Sequence, residues 1–391
     1  MKYILRNYQK LASDAAVDAF NKKKSKNGLI ILPTGAGKSL VIADIASRLD
    51  GPLLVFQPSK EILEQNFAKL VSYGCWDASV YSASVGCKDI NRITFATIGS
   101  VMNHMDEFSH FKNILIDECH YVNSKAGQYK EFIEAGDRRV VGLTATPYRL
   151  GKGMEGKSML KFLTRTVPRV FSTVLYYCQI SELLAKGYLA ELSYYDITTI
   201  KLDNVRSNST GADYDEKSLL MEYERSGFYD KLTTTVLRVL KPKSGIPRNG
   251  ILVFTRFIKE AEEMVEKLKM KNIKASIVTG ETPKKEREDI LEKFKAGEIK
   301  VVANVGTLTT GFDYPALDTV ILARPTKSLS LYYQMVGRAI RPYEGKQGWI
   351  IDLGGSYRRF GAVADLRIEC PPNSTKWVVK SKGRQLTNIE F

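Results

Sequence analysis

Short apolar runs recur along this chain, the first bounded by Gly28 and Pro33. In the first half they are Leu29–Leu32, Leu53–Phe56, Ile93–Thr97, Ile114–Asp117 and Val140–Thr144. In the second they are Ile251–Phe254, Ala275–Val278, Val301–Val305, Val320–Ala323 and Trp349–Leu353. Runs of this kind read as buried strands. Between them the period changes to that of a helix. Val41, Ile45 and Leu49 fall at i, i+4 and i+8, and Ile62, Leu63, Phe67, Leu70 and Val71 share one face of Lys60–Val71. Ala261, Met264, Val265 and Leu268 do the same later in the chain. Strands alternating with helices predict an α/β fold with a mostly parallel sheet flanked by helices. The alternation loosens between Ser181 and Gly250, where Asp203–Asp215 is polar and weakly periodic, as in a surface loop. The chain therefore reads as two α/β lobes of similar build, without a repeat at the level of sequence.

Composition narrows the class. A length of 391 residues suits two or three domains, and 44% hydrophobic with 26% charged residues is ordinary for a globular core. No run approaches the roughly 18 apolar residues of a membrane span, and the first ten residues are too polar for a signal peptide. Five cysteines stand far apart with no C-x-x-C pair, and there are three histidines, so no zinc site is expected. A reducing, cytoplasmic setting fits. The net charge of +15 predicts a polyanionic partner, nucleic acid before an anionic membrane, because no basic amphipathic anchor is visible.

The chemistry starts at the first strand. Leu29–Leu32 runs into Pro33-Thr34-Gly35-Ala36-Gly37-Lys38-Ser39 and then into a helix. That context makes a phosphate loop: glycines let backbone N–H groups turn inward around an anion at a helix N-terminus. Lys38 would reach the β- and γ-phosphates, and the Ser39 hydroxyl would bind Mg²⁺. The general pattern wants glycine at position 32, where this chain has Leu32. Ile114–Asp117 ends in Asp117 and Glu118, followed by Cys119 and His120. At the carboxyl edge of a doubly wound sheet, Asp117 can hold Mg²⁺ and Glu118 can orient or deprotonate a water. Val140–Thr144 ends at the same edge in Thr144-Ala145-Thr146-Pro147, a turn suited to relaying between sites. The second lobe supplies Gly311-Phe312-Asp313-Tyr314-Pro315 and Gln334–Pro342, with Arg338 and Arg341 three apart and on one face if that stretch is helical. A guanidinium aimed at a γ-phosphate contributes on the order of 10³–10⁵ in rate.

The set LRNYQ, PTGAGKS, DECH, TATP, GFDYP and QMVGRAIR, in that order from Leu5 to Arg341, resembles the superfamily 2 helicases of the DExH type. The longer strings LPTGAGKSLVIADIA, VGLTATPYRLGKG and TLTTGFDYPALDTVILARPT are most similar to the RadD-type DNA-repair helicases. The resemblance implies two RecA-like lobes, at 1–190 and 191–370, with ATP in the cleft between them and nucleic acid across both. A basic tail is expected at 371–391. It also implies roles. Arg6 and Gln9 would sit at the adenine, and Pro33, Thr34, Gly35, Ala36, Gly37, Lys38 and Ser39 would cradle the phosphates. His120, Thr144 and Thr146 would couple the ATP site to the nucleic-acid track. Gly311 and Asp313 would face the nucleotide, and Gln334, Arg338 and Arg341 would read the γ-phosphate. Ser59, Lys60, Thr97, Thr307 and Thr310 match positions that grip the phosphate backbone. Arg149–Arg169, with six basic residues including Lys157 and Lys161 against Glu155 alone, is an additional expected DNA-facing element. RadD-type proteins carry a cysteine-rich tail, whereas here only Cys370 falls in the last stretch.

The expectation is an ATP-dependent DNA helicase or translocase for repair, recombination or replication, using ATP and Mg²⁺ on single-stranded or branched DNA. An RNA helicase of the same superfamily and a non-enzymatic DNA-binding scaffold are the alternatives. Contacts to the phosphate backbone carry little information about sugar or base.

Overall fold

The structure is a computed structural model that describes residues 3–22, 26–152, 158–209, 211, 213–243, 245–308 and 312–390. The chain forms two compact units. One comprises Met1–Arg149, Lys161–Glu182 and Arg367–Lys380; the other comprises Leu150–Leu160, Leu183–Leu366 and Ser381–Phe391.

In the first unit, helix α1 (Asn7–Asn21) precedes strand β1 (Gly28–Ile31), α2 (Lys38–Arg48), β2 (Leu53–Phe56) and α3 (Lys60–Ser72). Then come β3 (Ala78–Ser82), β4 (Cys87–Lys88), β5 (Ile93–Ala96), β6 (Asn113–Ile116) and β7 (Arg139–Thr144). Strands β8 (Tyr148–Lys152) and β9 (Ser158–Phe162) follow, and β10 (Thr173–Tyr177) completes the main sheet. Its order is β10-β1-β7-β6-β2-β5-β3-β4. Neighbours are parallel except for the β3–β4 hairpin at one edge. Every residue of β1, β2, β5 and β6 is buried, which is why these strands read as continuous apolar runs rather than as alternations. Helices α1, α2 and α3 pack in a row, α1 also lying against β7 and β10.

The second unit holds β11 (Leu192–Asp196), β12 (Ile251–Thr255), β13 (Ala275–Val278), β14 (Val301–Val305), β15 (Thr319–Leu322) and β16 (Gly348–Asp352). They form one parallel sheet in the order β11-β16-β15-β12-β14-β13. Ala261, Met264, Val265 and Leu268, on the helix Ile258–Lys269, are all buried in the core with Val253, Ala303 and Ile321. Both units are thus α/β layers, as the hydrophobic pattern predicts, of the RecA-like build that the resemblance implies. Among the described residues no helix is long and apolar enough to cross a membrane.

Strands β2, β13 and β14 occupy the expected residues, and the other expected strands shift by one residue at one or both ends. The last residues differ in kind from the expected basic tail. They carry β17 (Leu366–Glu369), β18 (Val378–Ser381) and β19 (Arg384–Gln385). The apolar side chains between the lysines account for this: Val378, Val379 and Leu386 are buried, and the Trp377 ring meets Tyr177 at 5.1 Å and Phe162 at 6.5 Å.

Candidate active site

Strand β1 continues past Ile31 because Leu32 is buried and its N–H donates to the Thr144 carbonyl at 3.1 Å. The chain then turns through Gly35 (φ 82°) and Gly37 (φ 77°), both in the left-handed region that favours glycine. Gly37 caps α2, so Lys38 and Ser39 open that helix. A Cβ on Gly37 would lie 2.6 Å from Gln9 Nε2. Two side chains of α1 pin the loop from behind: Tyr8 Oη and Gln9 Nε2 donate to the Ala36 carbonyl at 2.8 and 2.9 Å. Gln9 Oε1 accepts from the Arg6 N–H at 2.9 Å. Both ends of the Gln9 amide therefore hold the loop and the start of α1. Pro33 is buried beneath, with Thr34 half-buried.

The Asp-Glu pair follows β6. The Asp117 N–H donates to Phe56 O at 3.0 Å, and Glu118 adopts φ 47°, a left-handed conformation costing roughly 1–2 kcal/mol for a residue with a Cβ. This kink turns Glu118 toward Lys38, whose Nζ lies 3.1 Å from Oε1. Glu118 Oε2 is 3.3 Å from His120 Nδ1, which is in turn 3.0 Å from Thr144 Oγ1. Thr144 Oγ1 also accepts from the Thr146 N–H at 3.0 Å. Phosphate loop, Asp-Glu pair and the Thr144–Thr146 turn thus form one chain of contacts along the carboxyl edge of β1, β6 and β7. Cys119 is buried against β7, where a Cβ on Gly142 would sit 2.6 Å from its Sγ.

The two carboxylates are pushed apart. Burial, and then the Glu118 charge, raise Asp117 above the ordinary carboxylate range. Burial acts on Glu118 in the same direction, but the Lys38 ammonium and the His120 hydrogen bond outweigh it and hold that carboxyl well below the usual range. The donor chemistry fits Mg²⁺: a buried carboxylate crowded by a like charge and a hydroxyl on the first turn of α2, which are hard oxygens. Mg²⁺ keeps most of its waters and needs one or two protein ligands. Among the described residues no group of three His, Cys, Asp or Glu gathers as a metal cluster, as a dedicated zinc or calcium cage would require.

In the second unit the expected helical arrangement of the arginines gives way to another. The helix Leu329–Val336 carries Gln334, half-buried, and ends before Gly337, so Arg338 and Arg341 share no helix face. Both instead turn to the GFDYP stretch. Arg338 is buried at 7% exposure and donates through Nη1 to the Phe312 carbonyl; Arg341 pairs with exposed Asp313. Burial lowers the Arg341 pKa, to about 10. A solvated basic helix is excluded for Arg338. Gly311 and Thr310 lie outside the described residues.

Of the expected nucleic-acid residues of the first unit, Ser59, Lys60 and Thr97 line one open basin of about 460 Å³, with Pro58 and Ser100 among others. Ser59 caps α3 by accepting from Ile62 N at 3.4 Å. Lys60 Nζ donates to Ser84 O at 2.6 Å, and Thr97 Oγ1 lies 2.9 Å from Ser100 Oγ. Thr307, in the second unit, is fixed after β14 by Asn304, whose Oδ1 accepts from the Thr307 N–H at 3.3 Å. Of the basic segment, Lys157 lies outside the described residues, Lys161 is half-buried on β9 and Arg169 is exposed. Arg149 is tied back to the Tyr121 carbonyl at 3.0 Å.

Two contacts to the site have no counterpart among the sequence-derived residues. One is Tyr8, within LRNYQ but overshadowed by Gln9. The other is Asn66 on α3, whose Nδ2 donates to Asp117 Oδ2 at 3.1 Å. The signal for Asn66 is present in the helical period: it falls with Leu63 and Leu70 on the buried face of α3, where a polar side chain needs a partner.

Known proteins share the sequence pattern and the fold. The family described as "Type III restriction enzyme, res subunit" matches residues 2–149, and "Helicase conserved C-terminal domain" matches residues 233–343. The chain is 28% identical to the "51.5 kDa protein" of a Lactococcus phage (isolate 7-9), over 93% of this chain and 78% of the relative. It is 26% identical to "DNA 3'-5' translocase XPB2" of Sulfurisphaera tokodaii, over 90% and 82%. The solved structure of the Type ISP restriction-modification enzyme LlaBIII bound to DNA shares the fold. It has a TM-score of 0.67 and 18% identity, over 90% of this chain and 28% of that much longer one. An ATP-site unit followed by a C-terminal helicase unit defines a single class of nucleic-acid-dependent ATPases, and this chain belongs to it, the superfamily 2 helicases.

Proposed function

We propose that this protein is an ATP-driven DNA translocase or helicase of the RadD-like DExH branch, acting in repair, recombination or replication. The observation that carries the reading is the unbroken run of contacts from Lys38 through Glu118 and His120 to Thr144. It joins the group that meets the phosphates to the group that activates water, and both to the turn that leaves the site.

In this reading the Gly35–Ser39 backbone cradles the phosphates and Lys38 neutralises their charge. Glu118, kept ionised by Lys38 and His120, orients the attacking water and takes its proton as the bond between the γ-phosphorus and the ADP oxygen breaks. Mg²⁺, held by the Ser39 hydroxyl and the Asp117 carboxylate, would balance charge on the phosphate oxygens. Gln334, Arg338 and Arg341 supply the second unit's response to the γ-phosphate, Asp313 keeping Arg341 in place. Arg6 stays assigned to the adenine, while Gln9 acts by holding the loop. Ser59, Lys60, Thr97, Thr307 and Lys161 grip the phosphate backbone. A net charge of +15 and a translocase named for DNA among the relatives favour DNA.

Steady-state ATP hydrolysis without nucleic acid, then with single-stranded DNA, forked DNA and RNA, tests the proposal. Stimulation by DNA, strongest on a fork, is expected. Stimulation by RNA alone would replace DNA by RNA as the track. DNA binding without hydrolysis under any condition would leave a scaffold.

A further inference from the structure

Between the basin and the Asp-Glu pair lies a buried polar bridge that none of the assigned roles uses. Gln57 is the residue after β2 and leads directly into Pro58 and Ser59, and its backbone N–H is fixed on Ala96 O at 2.9 Å. It lines the basin, yet is only 1% exposed. Its Oε1 accepts from Asn66 Nδ2 at 2.9 Å, and the same Asn66 Nδ2 donates to Asp117 Oδ2 at 3.1 Å. Asn66 is itself 4% exposed. One amide nitrogen therefore joins the floor of the basin to the carboxylate of the Asp-Glu pair.

We propose that Asn66 is a positioning residue and that Gln57–Asn66–Asp117 is a relay through which nucleic acid in the basin sets the Asp117 carboxylate for hydrolysis. Three observations support it. The bridge is direct: two hydrogen bonds span the distance between the sites. It is shielded, so its bonds are not exchanged for water and a shift at one end is felt at the other. And it is incompletely satisfied. Gln57 Nε2 is buried with no hydrogen-bond partner among the described residues. Burying an unpaired amide donor costs free energy, and an arrangement in which that donor finds a partner competes with the observed one. A turn at Pro58–Ser59 pulled by a bound phosphate backbone would move Gln57, because the two are adjacent in the chain. Two discrete arrangements of one polar bridge are what a coupling element requires.

The relay rests on reading the basin as the nucleic-acid grip and Asp117 as the metal carboxylate. The test is a double-mutant cycle with Gln57→Met, which removes the acceptor at similar volume, and Asn66→Leu, which removes the donor. ATP hydrolysis by the full chain is measured without DNA and at saturating single-stranded DNA. Thermal midpoints and the half-saturating ATP and DNA concentrations are recorded beside it. Each single variant is expected to lower DNA stimulation about 10-fold, at the upper end of what one buried hydrogen bond contributes. The double variant should lose no more than either single one, and the half-saturating DNA concentration should change little. Gln57→Met has no contact with Asp117, so it reads the relay even where Asn66→Leu lowers the thermal midpoint. Unchanged stimulation in Gln57→Met, or losses that multiply in the double variant, would overturn the relay while leaving the proposed function intact. A wild-type enzyme that DNA does not stimulate would overturn both.

Discussion

The two units hold their candidate-site charges in opposite ways. In the first unit the charges face one another: Lys38 meets Glu118, Glu118 meets His120, and Asp117 sits against its own neighbour's charge. That arrangement is costly in burial, and each member depends on the others. In the second unit the guanidiniums turn to the GFDYP stretch, Arg338 to a backbone carbonyl and Arg341 to the exposed Asp313. On the proposed function the first set works as one interdependent group, while loss of either arginine should leave that group standing.

The comparison can be broken at several points. Arg338→Ala is expected to have the largest effect, lowering kcat by about 10³ or more if the guanidinium serves the γ-phosphate. The loss of a buried carbonyl's partner should also lower the thermal midpoint. Fluorescent-nucleotide titration should show ATP still bound, because the first unit's contacts remain. Glu118→Gln comes next, with hydrolysis falling by about 10²–10⁴. Here ATP affinity should hold or tighten, since Lys38 loses its competing carboxylate; equal losses in binding and turnover would contradict the ion-pair reading. Gly37→Ala should weaken ATP binding about 10-fold or more. Its Cβ would meet Gln9 at 2.6 Å, at a φ that costs roughly 1–2 kcal/mol. The smallest effect sharpens the contrast by pH. Glu260, buried on the helix Ile258–Lys269, is raised to about 8, chiefly by burial. The folded protein then holds a proton that the unfolded chain releases near the ordinary carboxylate pKa. Glu260 therefore contributes most below that value and progressively less as pH rises toward 8. Glu260→Gln should flatten the fall of the thermal midpoint between about pH 5 and 8 without altering ATP affinity.

Most of the framework is legible in the sequence because strands buried on both faces must be apolar throughout, and helices must repeat at 3.6 residues. Asp117 and Glu118 follow the end of β6 and Lys38 opens α2, so placing the strands and helices places them. Strand β10 escapes that logic: Thr173–Tyr177 is only half-buried, and it joins β1 across a long separation in sequence. The arginines were harder for a different reason. Helical spacing from Gln334 onward suggests a face, but the helix stops at Val336 and the tertiary contacts with Phe312 and Asp313 decide their direction. The folded C-terminal residues show the same override, three apolar side chains outweighing a run of lysines. Asn66 was visible only as a polar interruption of a buried stripe, and its partner could not be named without the fold.

On the proposed function, ATP hydrolysis at Glu118 drives movement along DNA. Displacement of a third strand from a DNA triplex tests it most directly, because translocation suffices and strand separation is not required. The account predicts release that needs ATP and is abolished by Glu118→Gln while that variant still binds DNA. ATP hydrolysis stimulated by DNA, with the third strand left in place, would contradict it.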